Sequence, residues 1–271
     1  MSAIKDQWES SDRSVRLILG DCLEVLPTLE PGSVGAVVTD PPYSSGGQFR
    51  GDRVQRALAK YVCSESQAAG HYQDFTGDNR DQRSFMAWCS LWLCAAMHAT
   101  TRGGVLCCFS DWRQVPVLTD AIQAGGWTWR NLCTWWKPGC RMQRGRFSSS
   151  AEFLIYGTAG PHDSDGSASP QNVFQFATLQ TEHKDHIAEK PTEVLDWAVS
   201  VTRAGATILD PFCGVSSTGV SAIRSGRPYI GIELDRRYWE LSVSRVRAEL
   251  DRFPLFEPKK PKQLELTPTE D

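Results

Sequence analysis

An α/β fold, with a largely parallel sheet covered by helices on both faces, follows from three observations on the sequence. Short apolar runs alternate with amphipathic stretches along most of the chain. Glycines fall where helix ends need a residue that tolerates positive φ, at Gly103-Gly104, Gly125-Gly126 and Gly226. And 271 residues with 41% hydrophobic content suffice for one large domain or a domain plus a small insert.

The elements follow in order. Apolar runs predict strands over 15–19 (VRLIL), 35–39 (GAVVT), 104–109 (GVLCCF), 127–134 (WTWRNLCT), 152–156 (EFLIY), 207–209 (TIL) and 229–232 (YIGI). Amphipathic spacing predicts helices over 82–99, 112–124, 192–202, 217–225 and 236–253. Two segments break the rhythm. Residues 44–81 are rich in Gly, Ser, Gln and charge, and 137–189 hold Gly/Ser/Pro clusters with one strand-like run, so both read as functional inserts. The domain is expected to occupy 1–253, with an extended or disordered tail over 254–271.

Composition excludes several classes. The longest apolar runs are too short to span a bilayer, and the polar start MSAIKDQWESSDRS is unlike a signal peptide, so a cytoplasmic protein without a membrane partner is expected. Nine cysteines, an odd number with no CxxC spacing, argue for reduced, mostly buried thiols rather than a disulfide framework or zinc ribbon. The five histidines show no metal-ligand spacing, and no metal is expected. A net charge of −3 makes any nucleic-acid role depend on local clustering of charge.

Two strand ends carry the chemistry. Asp40-Pro41-Pro42-Tyr43 follows the 35–39 strand, and Asp210-Pro211-Phe212-Cys213-Gly214 follows the 207–209 strand and leads through Thr218 into a helix. In open α/β sheets ligands bind at the carboxyl ends of strands. Proline fixes φ and donates no N–H, so each acid is followed by a stiff backbone presenting carbonyl acceptors. A proline-reinforced turn is the alternative reading of either motif alone; together, and with GDCLEVL (20–26), HIAEKPTEVL (186–195) and YIGIELDRRYWELS (229–242) in that order, they are specific. From Val15 to Val246 the chain resembles the amino-group DNA methyltransferases, in the permuted β group whose DPPY motif precedes the S-adenosylmethionine motif.

That resemblance implies a Rossmann-like methyltransferase fold and assigns roles. Asp40 and the Pro41 carbonyl accept from the exocyclic amine of a flipped-out base, Pro42 stiffens the turn, and Tyr43 stacks on the base. For S-adenosylmethionine, Asp210, Phe212, Cys213, Gly214 and Thr218 match the loop beneath the methionine part, Glu233 takes the ribose hydroxyls, Asp21 and Cys22 meet the adenine edge, Leu23 and Leu234 form apolar walls, and Lys190 reaches the methionine carboxylate. The family usually carries a second glycine where this chain has Ser216, so a reshaped loop is expected there.

Between 127 and 147 the chain carries Arg130, Lys137, Arg141, Arg144 and Arg146 interleaved with aromatics and no acid. Lys137, Arg141, Arg144 and Arg146, with Arg50 and Arg53 of the first insert, are the expected contacts to double-stranded DNA, most of the tryptophans being core. By its place in the family order, the irregular part of 137–189 is the expected target-recognition region. Adenine-N6 methylation is favoured because Asp rather than Ser stands at position 40; cytosine-N4 methylation and a catalytically silent DNA-binding module are the alternatives. A homodimer is expected, paired through the apolar helix FMAWCSLWLCAAM (85–97) and parts of the preceding insert.

Overall fold

Consecutive residues of the central strands point to opposite faces of one sheet, and both faces are apolar. Leu17, Ala36, Val38, Val105 and Cys107 join one core; Ile18, Val37, Leu106, Cys108 and Leu209 join the other. Two cores demand two helical layers. The computed structural model describes residues 2–42, 80–139, 144–145, 147–162, 168–177 and 190–252.

The strands are β1 (Asp6–Glu9), β2 (Val15–Leu19), β3 (Val34–Thr39), β4 (Thr100–Ser110), β5 (Thr128–Trp136), β6 (Ala151–Thr158), β7 (Val173–Gln175), β8 (Ile208–Asp210) and β9 (Tyr229–Glu233). The helices are α1 (Cys22–Val25), α2 (Gln82–Ala99), α3 (Val115–Ala124), α4 (Thr192–Ser200), α5 (Ser217–Arg224) and α6 (Arg236–Arg252). Among the described residues the strands form one sheet in the order β1-β2-β9-β8-β3-β4-β6-β5-β7. From β2 to β4 the pairings are parallel. Beyond β4 the sheet turns antiparallel through β6 and β5, and β7 pairs parallel to β5. Helices α4, α5 and α6 cover the first core, α2 and α3 the second.

Local chemistry sets several boundaries. Asp81 caps α2, its Oδ1 accepting from the backbone N–H of Arg83 and Ser84. Helix α3 starts at Val115 rather than at 112, because Asp111 binds the N–H groups of Arg113 and Gln114 in a turn and Pro116 then opens the helix. Ser216 keeps the left-handed conformation, φ 57 and ψ 42, that a glycine would adopt, and its hydroxyl is tied to Ser242 of α6. The expected reshaping of the loop is therefore absent at this residue. Cys22, Cys89, Cys94, Cys107, Cys108, Cys133 and Cys213 are free thiols; Cys63 and Cys140 lie outside the described residues. No described helix is long and apolar enough to cross a membrane.

The chain leaves β8 through α5 to reach β9 on one side, and leaves β3 through α2 to reach β4 on the other. In open α/β sheets the binding crevice forms where the connections diverge, which in this strand order is between β8 and β3. There the fully buried Thr39 donates its hydroxyl to Asp210 Oδ1 at 2.7 Å, clasping the two strand ends. Thr39→Val keeps the side chain's shape and removes that donor. It should lower unfolding free energy by about 1 to 3 kcal/mol, read from the urea midpoint at unchanged m-value.

Candidate active site

Strand order places the acids. β2, β9, β8 and β3 are neighbours, and their carboxyl ends carry Asp21, Glu233, Asp210 and Asp40 in that sequence. Three of the four hold backbone or neighbouring hydroxyls. Asp21 caps α1 by accepting from Leu23 N–H at 2.9 Å. Glu233 accepts from Gly214 N–H at 2.9 Å and from Asp235 N–H at 2.8 Å, tying the β8 loop to β9. Asp210, 2% exposed, accepts from Thr39 and from Phe212 N–H, with Thr218 a further partner.

Asp40 differs. Its Oδ2 accepts from the Lys190 ammonium. Its Oδ1 is closed off from solvent and has no hydrogen-bond partner among the described residues. An unpaired buried carboxylate oxygen is costly, which sets Asp40 apart from the other three acids. Pro41 is buried and Pro42 half-buried beside it; Tyr43 lies outside the described residues.

Lys190 stands just before α4, where the helix dipole disfavours a cation. Two carboxylates offset this: Asp40 and, at 3.4 Å, Glu152 of β6. Glu152 also accepts from Lys137 at 2.8 Å. Burial pushes the Lys190 ammonium down, but Asp40 and Glu152 more than reverse this and hold it above its ordinary range. Burial raises Glu152 too, yet Lys190 and Lys137 bring it below its usual value. For Asp40 burial outweighs the Lys190 attraction, and its carboxyl is raised. Sequence reasoning misses Glu152, since one acid at the head of an apolar strand looks like a strand boundary.

The groups assigned to the cofactor lie at adjoining strand ends. Gly214 has φ 53, and a Cβ there would meet nothing within 4 Å, so the loop leaves space over its backbone. Phe212 packs against Trp88 and Trp92 of α2 at 5.3 and 5.2 Å between ring centroids. Leu23 is half-buried and Leu234 exposed, while Cys22, Cys213 and Thr218 are buried. Open backbone, apolar faces and a carboxylate at the β9 end suit an adenosyl group carrying a cationic amino-acid arm.

The family model for N6/N4 DNA methylases, described as DNA methylase, matches residues 34–244. The chain belongs to this family. As an N6/N4 DNA methylase it is an enzyme acting on DNA. It is 23% identical over 266 residues to the type II methyltransferase M2.MboI of Moraxella bovis, covering 89% of this chain and 91% of that protein. To the type II methyltransferase M.Cfr9I of Citrobacter freundii it is 28% identical over 273 residues, covering 86% and 88%. Among solved structures, the M1.HpyAVI–SAM complex superposes with a TM-score of 0.60 at 16% identity, covering 86% of this chain and 98% of that one. PvuII DNA methyltransferase (cytosine-N4-specific) gives 0.62 at 16% identity, covering 88% and 92%. These likenesses show the fold.

The same sheet edge of this N6/N4 DNA methylase carries the basic segment. Ser110 at the end of β4 pairs with Phe153, and Ala151 pairs with Trp136 at the end of β5, so both ends of the β5–β6 connection lie beside the end of β4. Among its described residues Arg144 is exposed and Phe147 fully exposed; Trp129 and Trp136 are 44% exposed while Trp127 and Trp135 are core. Lys137 is held by Glu152 and over the Trp135 ring. Arg50, Arg53, Arg141 and Arg146 lie outside the described residues.

Burial raises Glu233 from 4.5 to about 7 against its backbone hydrogen bonds. The folded protein therefore holds a proton there that the unfolded chain has released, so this contribution to stability is complete below pH 4.5 and is lost as pH rises through about 7. Glu233→Gln removes the titration. Relative to wild type, the variant's urea stability should fall less, by about 1 to 3 kcal/mol, between those two limits. Parallel profiles would show that Glu233 does not titrate there.

Proposed function

We propose that the protein transfers the methyl group of S-adenosylmethionine to the N6 amine of an adenine flipped out of double-stranded DNA. One observation carries the reading: Asp40 Oδ1, buried and without a partner among the described residues, beside two prolines at the crevice. When bound, S-adenosylmethionine supplies a methyl on a sulfonium. Asp210, Phe212, Cys213, Gly214 and Thr218 of the β8 loop, with Asp21, Cys22, Leu23, Glu233 and Leu234, would hold it; Lys190, expected at the methionine carboxylate, instead pairs with Asp40 and Glu152.

An exocyclic amine is a poor nucleophile because its lone pair is delocalised into the ring. Hydrogen bonds from its N–H groups to Asp40 Oδ1 and the Pro41 carbonyl localise that pair and aim it. Transfer forms the N–C bond and breaks the S–C bond, whose electrons remain on a neutral thioether sulfur, and one amine proton leaves. Asp40 is placed to take it, since burial has raised its basicity. The amine is paired within a duplex, so the base must leave the stack, and Tyr43 is the residue proposed to stack on it.

Asp at position 40 favours adenine over cytosine. The cytosine-N4 specificity of PvuII DNA methyltransferase supports the second reading, which uses the same geometry. Incubation with labelled S-adenosylmethionine and mixed-sequence DNA, followed by digestion to nucleosides, separates them. Exposed Met86 and Leu91 on the outer side of α2 support pairing of two copies through that helix; light scattering tests it against the 30.2 kDa monomer.

Asp40→Ala should reduce turnover by at least ~10²-fold, as removal of a preorganised charged acceptor does, with cofactor affinity changed only a few fold. Near-normal turnover would end the assignment of Asp40. Replacing Arg141, Arg144 and Arg146 together by Gln should flatten the dependence of log K on log salt for DNA binding, by about 0.9 for each phosphate that is no longer neutralised. An unchanged slope would place these arginines away from phosphate.

A further inference from the structure

We infer that Glu152 is a positioning residue for methyl transfer: it draws the Lys190 ammonium to one side of Asp40, so that Lys190 takes Oδ2 and leaves Oδ1 unpaired to accept from the target amine. This rests on the proposed role of Asp40 as the amine's acceptor.

The geometry is a chain of alternating charge across four elements. Lys137, just after β5, pairs with Glu152 Oε1 at 2.8 Å; Glu152 Oε2, on β6, lies 3.4 Å from Lys190 Nζ; and Lys190, at the start of α4, meets Asp40 at the end of β3. Glu152 thus offers one oxygen to each lysine. The Lys190 side chain is 6% exposed and those of Glu152 and Asp40 are 22% and 23% exposed, so water screens these contacts poorly. The Phe109 ring, 4.9 Å from Nζ, backs the ammonium with a further surface.

A lone carboxylate facing an ammonium attracts it to both oxygens, and each of the three N–H donors seeks an acceptor. A second carboxylate on the far side breaks that symmetry. With Glu152 in place, Lys190 satisfies two anions and only one Asp40 oxygen is consumed. With position 152 neutral, the pull away from Asp40 is gone, and the ammonium can shift across both Asp40 oxygens or give up its proton more readily. Among the described residues, Asp40 and Glu152 face Lys190, Lys137 faces Glu152, and Asp210 of β8 and Cys108 of β4 feel the Asp40 charge.

The test measures methylation of DNA with labelled S-adenosylmethionine from pH 6.5 to 10 for wild type, Glu152→Gln, Lys190→Met, the double variant and Asp40→Asn, with cofactor affinity by calorimetry. Glu152→Gln should lower kcat by about 10- to 100-fold, the scale of a misplaced reacting group, while cofactor affinity stays within about threefold. An alkaline limb should appear in its kcat profile below pH 10, where wild type, with Lys190 held above its ordinary range by two carboxylates, shows none, because Lys190 keeps its proton less tightly with one carboxylate than with two. In the Lys190→Met background, Glu152→Gln should cost nothing further, since its effect runs through the ammonium. If Glu152→Gln alone does not melt cooperatively, the comparison of Lys190→Met with the double variant decides. A kcat within twofold of wild type, a lowered kcat with no alkaline limb below pH 10, or additive losses in the double variant would overturn the inference. Activity retained in Asp40→Asn would instead overturn the reading on which it rests.

Discussion

The hydrogen bond from Thr39 to Asp210 is the constraint on which the site depends. At the ~5 Å spacing of adjacent strands, two bare carboxylates repel by about 3 kcal/mol at an effective dielectric constant near 20. The protein keeps acids at the ends of both β8 and β3 by giving them different surroundings. Asp210 is buried, raised to about 6, and surrounded by donors from Thr39, Thr218 and Phe212. Asp40 has a counterion in Lys190 and one oxygen in reserve. One acid braces the two strand ends and the other is held by a counterion.

The far half of the sheet serves the near half. Once the sheet turns antiparallel at β6, the head of β6 and the end of β5 return to the edge where β4 finishes. The β5–β6 hairpin therefore delivers Glu152 to Lys190 and sets both ends of its connection beside the end of β4. Lys137 sits at the junction, its charge turned inward to Glu152.

Most of the sheet is legible in the sequence because buried parallel strands are unbroken apolar runs, and helix 82–99 has its expected bounds because Asp81 caps it and its apolar spacing is regular. Strand β1 is not legible: DQWE holds one apolar residue among three polar ones at a sheet edge, too few to set a period. The three residues of β7 carry even less signal. At the site, Asp40 and the Asp210 loop announce themselves through proline and glycine, which leave marks in sequence. The partnership of Lys190 with Asp40 and Glu152 leaves none. It joins residues on separate elements, and only the strand order brings them together. Ser216 shows the opposite failure: its left-handed backbone is held by the Ser242 contact, a tertiary cause that a local glycine rule does not contain.

The clasp between Thr39 and Asp210 spans 171 positions of sequence. Pairing β3 with β8 closes a long loop, whose entropy must be met before the contact gives anything back, whereas the β5–β6 hairpin closes over a short one. During synthesis the hairpin with Glu152 and its basic connection can form while β8 is still unmade. The crevice cannot. A growing chain thus sets Lys137 and Glu152 in place before the strand ends they serve, and a partly made protein has no competent site with which to mark DNA.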